Sequence, residues 1–151
     1  MEVVARPDHA RVVIDYAHTP DALKQALQAC EAQCEGELWV VFGCGGDRDA
    51  SKRESMGAIA CESADHVVVT SDNPRREDPV QIIRNIQSGC DGRELAIVDR
   101  QEAITYAVSK AQPEDIVLVA GKGHETYQII GDDYLPMDDK HLARQAMEVG
   151  C

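Results

Sequence analysis

Three short segments of the chain combine glycine with charged side chains. They are GCGGDRD at 43–49, SDNPRRE at 71–77 and GKGHE at 121–125. Glycine lets a backbone adopt positive φ or approach a ligand closely. Among the charged side chains in these segments, Arg48, Arg75, Lys122 and Glu125 supply both signs of charge. Such a mixture suits a zwitterionic ligand.

Each segment taken alone is more typical of a turn with solvated charges, whereas three such segments at one edge of a sheet favour a ligand site. Two phosphate-binding motifs fail on inspection. GCGGDR has Arg48 where the dinucleotide fingerprint GxGxxG requires its last glycine. AGKGHE lacks the first glycine of the P-loop GxxxxGK[ST], which would stand six residues before Lys122. The chain therefore contains no complete phosphate cradle, and phosphoryl transfer is not expected from it alone.

The three segments follow short apolar runs that alternate with stretches of helical period. The predicted strands are 11–16, 38–43, 66–70, 94–98 and 115–120. The predicted helices are 20–33, 51–63, 79–89, 101–111 and 138–148. Strands that are apolar nearly throughout indicate a parallel sheet covered on both faces. A further strand at 126–130 is expected in a hairpin-like tail, antiparallel to the rest.

This order predicts an α/β domain, Rossmann-like and doubly wound, with a mostly parallel sheet and one antiparallel strand. We expect the domain to cover 11–151, with 1–10 as a lead-in from a missing central domain. Ligands of such sheets bind at the carboxyl ends of the strands. Tyr16 and His18 lie at the carboxyl end of the first predicted strand, so they join the three charged segments at that edge.

Composition excludes several other classes of protein. Among 151 residues, 27 are acidic and 15 basic, and a net charge of −12 disfavours a nucleic-acid partner. The sequence shows neither a secretion signal nor the 18 or so apolar residues of a membrane span, so a cytoplasmic protein without membrane contact is expected. Six cysteines without a CxxC pair are interpreted as reduced thiols, with no metal site indicated.

Four ordered motifs resemble one known family. VIDYAHTPDAL, VFGCGGDRDASKR, TSDNPRREDP and AGKGHETYQI are similar to the C-terminal domain of the Mur ligases, over roughly residues 1–147. The intact word DNPR resembles the members that add meso-diaminopimelate to UDP-MurNAc-L-Ala-D-Glu during peptidoglycan synthesis. The resemblance implies two further domains, one of them carrying the ATP P-loop, as partners on the same polypeptide.

The family resemblance also implies roles for individual residues. Those implied to contact meso-diaminopimelate are Arg48, Asp72, Asn73, Pro74, Arg75, Gly121 and Glu125. Those implied to lie near the nucleotide are Tyr16, His18 and Asp47. Arg75 is the expected specificity residue, since a guanidinium fork suits the carboxylate that lysine lacks, and Glu125 would balance an ammonium. No catalytic residue is expected in this chain.

The resemblance implies that ATP and Mg²⁺ serve the full-length enzyme, with neither held by this chain alone. Its small-molecule substrates would be meso-diaminopimelate, the UDP-linked dipeptide and ATP. Two alternatives remain open from the sequence. One is a related ligase that adds a different amino acid, and the other is a stand-alone module that binds an amino acid or a nucleotide without chemistry.

Overall fold

The computed structural model describes residues 1–46, 50–123 and 125–149, without the side chain of Val149. Its strands are β1 (Glu2–Val4), β2 (Arg11–Asp15), β3 (Leu38–Phe42), β4 (His66–Val69), β5 (Leu95–Ala96), β6 (Ile116–Ala120), β7 (Tyr127–Ile130) and β8 (Asp133–Pro136). Its helices are α1 (Pro20–Gln33), α2 (Ser51–Ser63), α3 (Pro79–Gln87), α4 (Arg100–Lys110) and α5 (Asp139–Val149). The alternation of strands and helices predicted from the sequence is confirmed.

Local capping fixes where three of the helices begin. The Thr19 hydroxyl accepts a hydrogen bond from the backbone of Ala22 ahead of Pro20 in α1. The Asp78 carboxylate does the same for α3, and Asp99 for α4. A side-chain acceptor at this position satisfies a backbone N–H that the helix itself leaves unpaired.

Six strands form the main sheet in the order β1-β2-β6-β3-β4-β5, and β7 pairs with β8 in a separate antiparallel hairpin. The pairs from β2 to β5 are parallel, whereas β1 runs antiparallel to β2. The expected mixed sheet is therefore confirmed. Its antiparallel member is β1, within the segment 1–10, while the strand near 126–130 lies in the hairpin.

Helices cover both faces of the sheet and enclose two aliphatic cores. Leu27 of α1, Met56 of α2 and Ile86 of α3 pack on one face. Ile104 of α4 and Met147 of α5 pack on the other. The crossovers through α1, α2 and α3 lie on one face and the crossover through α4 lies on the other. The carboxyl ends of the strands beside β6 are where such sheets bind ligands.

The edge strand β5 is shorter than predicted. Only Leu95 and Ala96 pair with β4, and both are exposed. The prediction of a strand at 94–98 rested on helices covering both faces of the sheet. As the outermost strand, β5 does not have this cover. No helix among the described residues is long and apolar enough to cross a membrane.

Candidate functional site

The loops that follow β2, β3, β4 and β6 meet at the carboxyl edge of the sheet and enclose a cavity of about 320 Å³. Its lining residues are Tyr16, His18, Gly43, Cys44, Gly45, Lys52, Asp72, Asn73, Arg75, Gly121, Glu125, Tyr127, Ile129 and Tyr134. The volume lies at the lower end of the roughly 300–1,000 Å³ of small-molecule sites. It suits an amino acid better than an amino acid together with a nucleotide.

Two glycines let the loop after β3 touch the loop after β4. A Cβ added at Gly43 would lie 2.2 Å from the carbonyl oxygen of Thr70, and one at Gly46 would lie 1.8 Å from that of Pro74. The Gly46 amide donates to the Asn73 carbonyl over 2.7 Å. Both glycines are therefore required by a close approach of two backbones.

Arg75 is held in an unusual backbone conformation. Its φ is 52°, in the left-handed region that residues with a Cβ seldom adopt. The Arg75 amide donates to the Ile129 carbonyl over 3.0 Å, and its Nη1 donates to the Gly46 carbonyl over 3.1 Å. Strain of this kind costs about 1–3 kcal/mol and is common where a side chain must point at a ligand.

Lys122 does not present its charge to a ligand, in contrast to the sequence interpretation of its segment. Its side chain is fully buried, and Nζ donates to Asn73 Oδ1 over 2.6 Å and to the Tyr127 carbonyl over 2.9 Å. Burial lowers the pKa of Lys122 from 10.5, against the attraction of Asp72. Lys122 therefore ties Asn73 to the hairpin strand β7, and Asn73 Oδ1 also accepts from the Ile129 amide at 3.0 Å.

Asp72 supplies a carboxylate at the floor of the cavity. Its Oδ1 lies 3.4 Å from Lys122 Nζ, yet within the described residues this oxygen accepts no hydrogen bond. Gly121 stands next to it with φ 121°, and a Cβ there would lie 3.4 Å from Asp72 Oδ2. Asp72 therefore lines the cavity as a carboxylate whose ion-pair partner is Lys122.

Two buried arginines hold the loops of the cavity in place. Arg53 of α2 donates to both carboxylate oxygens of Glu77 at 2.8 and 2.9 Å, and to the Gly45 carbonyl at 3.1 Å. It therefore joins the glycine segment to the end of the DNPRRE segment. Arg100 of α4 binds Asp139 of α5 and also donates to the carbonyls of Ser71 and Ala120, where two cavity loops begin.

Tyr16 and His18 lie on the β2 side of the cavity, with ring centroids 4.6 Å apart. His18 Nδ1 is 2.8 Å from the Tyr16 carbonyl oxygen, and Lys52 Nζ donates to the His18 carbonyl over 3.0 Å. Tyr16 is 48% exposed. These residues offer an aromatic surface and a cation on one side of the cavity.

The structure brings most of the predicted contacts together. Those that line the cavity are Tyr16, His18, Asp72, Asn73, Arg75, Gly121 and Glu125. Pro74 lines a second, neighbouring cavity instead. Asp47 and Arg48 lie outside the described residues.

Sequence reasoning missed Lys52, Tyr127 and Tyr134, which also line the cavity. Lys52 carried a usable signal, because it stands in the first turn of a helix, where the helix dipole disfavours a cation. The two tyrosines carried none. They reach the cavity only because the β7–β8 hairpin folds back over the sheet edge, where their rings lie 5.2 Å apart.

The doubly wound sheet with a small polar cavity at its carboxyl edge defines an α/β ligand-binding domain. The family model described as "Mur ligase, glutamate ligase domain" matches residues 1–123, and the chain belongs to this family.

Curated relatives are about half identical to the chain over the aligned segment. A UDP-N-acetylmuramoyl-L-alanyl-D-glutamate--2,6-diaminopimelate ligase from Alkalilimnicola ehrlichii is 55% identical over 148 residues, and one from Geobacillus kaustophilus is 49% identical over 150 residues. Each alignment covers 97% of this chain. The chain spans 30% and 31% of the length of these relatives.

Solved structures agree with this assignment. A structure of a ligase with the same name has a TM-score of 0.93 and 47% identity, covering 99% of this chain and 31% of that one. A folylpolyglutamate synthase/dihydrofolate synthase from Yersinia pestis, complexed with AMPPNP and Mn ion, has a TM-score of 0.63 and 16% identity, covering 99% of this chain and 30% of that one. The second likeness shows the fold alone.

Proposed function

We propose that this chain is the amino-acid-binding domain of an ATP-dependent ligase that adds meso-diaminopimelate to UDP-MurNAc-L-Ala-D-Glu. The observation that carries the proposal is the placement of Arg75, Asp72 and Glu125 around one cavity of about 320 Å³. This arrangement offers a cation and two carboxylates to a ligand that itself bears carboxylates and ammonium groups.

Arg75 is proposed to select diaminopimelate over lysine. Diaminopimelate carries one more carboxylate than lysine, and a guanidinium can bind a carboxylate through two parallel hydrogen bonds. With lysine in the cavity, the Arg75 guanidinium would lose that partner. A site that leaves a buried polar group unpaired rejects the shorter analogue strongly. Arg48, outside the described residues, is proposed as a second carboxylate contact because of the family resemblance.

The two carboxylates are proposed to hold an ammonium group. Asp72 lines the cavity, and its Oδ1 lies 3.4 Å from Lys122 Nζ. Glu125 lines the same cavity, and its amide donates to the Lys122 carbonyl over 3.0 Å, which fixes the turn that carries it. The carbonyl of Gly121 offers a further acceptor. Asn73 and Pro74 are proposed to shape this loop, since Asn73 Oδ1 is already occupied by Lys122.

The nucleotide is proposed to bind on the side of the domain where Tyr16 lies. Tyr16, His18 and Lys52 offer an aromatic surface and a cation, which fits one side of a nucleotide but does not surround its phosphates. Asp47 is proposed as a ribose contact by the family resemblance. Bound ATP with Mg²⁺ would supply the activated phosphoryl group, and this chain's residues would place the attacking amine beside the activated carboxylate.

Further domains of the same polypeptide are proposed partners of this chain. The proposed location is the cytoplasm, which supplies ATP.

Calorimetric titration of the chain with meso-diaminopimelate and with L-lysine tests the amino-acid site. We expect saturable binding of diaminopimelate and at least 100-fold weaker binding of lysine. Arg75→Ala should weaken diaminopimelate binding by roughly 100-fold, the equivalent of about 3 kcal/mol for a charged hydrogen-bonded pair. Equal affinity for both ligands would contradict the proposed role of Arg75.

Arg76→Ala is the matched control, because Arg76 is the next residue and its guanidinium pairs with the exposed Asp132 at 2.6 Å. Arg76 does not line the cavity. The Arg76→Ala variant should bind diaminopimelate with an affinity within about twofold of that of the parent chain, a difference of roughly 0.4 kcal/mol. In the full-length ligase, Arg75→Ala should raise the KM for diaminopimelate far more than the KM for ATP. Equal effects on both would refute the assignment.

A further inference from the structure

Two cysteines that are distant in sequence meet at the amino edge of the sheet, opposite the amino-acid cavity. Cys61 lies near the end of α2, and Cys90 follows the end of α3. Together with Glu94, just before β5, they place two thiol sulfurs and a carboxylate oxygen within 4.8 Å of one another. Cys61 is buried, and the other two residues are half-buried. This is the set of soft and hard ligands that Zn²⁺ accepts in proteins.

Two glycines bring the supporting backbones into contact. A Cβ at Gly57, in the middle of α2, would lie 2.1 Å from the Ile86 carbonyl oxygen. A Cβ at Gly89 would lie 1.9 Å from the Glu54 carbonyl oxygen. A glycine inside a helix costs about 1 kcal/mol relative to alanine, so Gly57 is explained by the close approach of α3. The thiols therefore meet on a closely packed, preorganised pair of helices.

The carboxylate of Glu94 is oriented by two donors. The Gly92 amide donates to Oε1 over 2.9 Å, and Gln87 Nε2 donates to Oε2 over 3.2 Å. Each carboxylate oxygen keeps acceptor capacity after one such bond. Hydrogen bonds of this kind hold a metal ligand in position in known metalloproteins.

The nearby cation, Arg93, is engaged elsewhere. Its guanidinium donates to the carbonyls of Cys61 and Asp65 at 2.6 and 2.8 Å, and to the carboxylate of Asp91 at 3.0 Å. These contacts fix the loop between α3 and β5. Among the described residues, the Arg93 guanidinium therefore donates to two carbonyls and to Asp91, and not to the thiols or to Glu94.

We propose that Cys61, Cys90 and Glu94 form a zinc-binding site, with water as the fourth ligand. In a tetrahedral zinc site with Zn–S bonds of about 2.3 Å, the sulfurs lie roughly 3.8 Å apart, so the cluster needs only a small contraction. Each thiol releases its proton to solvent as its sulfur binds Zn²⁺. The metal would tie α2 to the end of α3. This site was not anticipated from the sequence, which indicated reduced thiols and no metal.

Cobalt titration of the reduced, untagged chain under nitrogen tests the site. Cys151 is replaced by serine in every sample, because it lies outside the described residues. We expect one equivalent of Co²⁺ to give a thiolate-to-cobalt charge-transfer band and tetrahedral visible absorption, both removed by one equivalent of Zn²⁺. Cys61→Ser and Cys90→Ser should each lower the affinity about 100-fold. Glu94→Gln, a milder change at a half-buried position, should lower it about tenfold and keep the charge-transfer band.

The matched control is Cys30→Ser/Cys34→Ser, which removes the thiol of Cys30 in α1 and that of Cys34 at the C-cap of the same helix. Its cobalt spectrum and affinity should equal those of the parent. Far-ultraviolet circular dichroism checks that each variant is folded, and Zn²⁺ should raise the Tm of the parent and of the control but not of the Cys61 and Cys90 variants. A cobalt spectrum without thiolate charge transfer, or one retained by both single cysteine variants, would overturn the proposal.

Discussion

Arg100 in α4 and Asp139 in α5 form a fully buried ion pair, in which Nε and Nη2 donate to the two carboxylate oxygens at 2.8 and 2.7 Å. The same guanidinium donates to the Ser71 carbonyl at 2.9 Å and to the Ala120 carbonyl at 3.2 Å. Burial acts to lower the pKa of Arg100, but the charge and hydrogen bonds of Asp139, together with the charges of Asp72 and Glu125, outweigh it, and the pKa rises. Arg100 therefore stays charged and joins two helices to two strand ends at the cavity.

Arg100→Met should destabilise the domain by about 3–5 kcal/mol, because it leaves the Asp139 carboxylate buried without its partner. Chemical denaturation measures this loss directly. Arg100→Met/Asp139→Leu should recover much of the stability, since two apolar side chains need no pairing. Equal losses in the single and double variants would show that the carbonyl contacts, rather than the ion pair, carry the effect.

Two substitutions of Arg75 should distinguish its effect on backbone strain from its effect on ligand binding. At φ 52°, a residue with a Cβ is disfavoured by about 1–2 kcal/mol, and the greater freedom of glycine in the unfolded chain offsets part of this. Arg75→Gly should therefore be about 1 kcal/mol more stable than Arg75→Ala, while both lose affinity for diaminopimelate. Thermal denaturation and calorimetry measure the two effects. An alanine variant at least as stable as the glycine variant would contradict the strain argument.

Gly46→Ala should disturb the contact between the two loops of the cavity. Its Cβ would meet the Pro74 carbonyl oxygen at 1.8 Å, so the loops must separate. We expect a stability loss of about 1–3 kcal/mol and at least a tenfold loss of ligand affinity, about 1.4 kcal/mol. Gly36→Ala is the matched control, because its Cβ would meet Asp115 Oδ1 at 2.3 Å near the start of β3, away from the cavity. That variant should lose stability and keep its affinity.

The buried thiol of Cys44 should make the domain less stable in alkali. Burial raises its pKa from 9.0 to about 12, so above pH 9 the unfolded chain loses this proton while the folded chain keeps it. The contribution of Cys44 to the free energy of unfolding is fully present below pH 9 and declines as the pH rises toward 12. Between pH 8 and pH 10, the stability of the parent relative to Cys44→Ala should fall by about 1 kcal/mol. A constant difference in denaturation free energy over that range would contradict the raised pKa.

The local sequence pattern was sufficient to predict the strands and helices that carry the loops of the cavity. Thr19 with Pro20, and Asp78 with Pro79, mark helix starts that the structure reproduces. The apolar run 38–43 predicted a strand buried on both faces, and all residues of β3 are buried. Such features depend on neighbouring residues alone, so a single sequence is enough to reveal them.

Features that depend on distant residues could not be predicted in this way. Arg100 and Asp139 are separated by 39 residues, and each alone is typical of a solvated surface. Lys122 lies in a glycine segment that suggested a ligand contact, but its Nζ binds Asn73 inside the protein. The antiparallel strand β1 has three residues and becomes recognisable only by its pairing with β2. Tertiary packing decided each of these outcomes.

The direction of β1 determines where the chain enters the domain. Because β1 runs antiparallel to β2, the amino group of Met1 lies 3.8 Å from Asp15 Oδ1, at the same edge as the amino-acid cavity. The first strand of the domain therefore supports the end of β2, the strand whose next residue, Tyr16, lines the cavity.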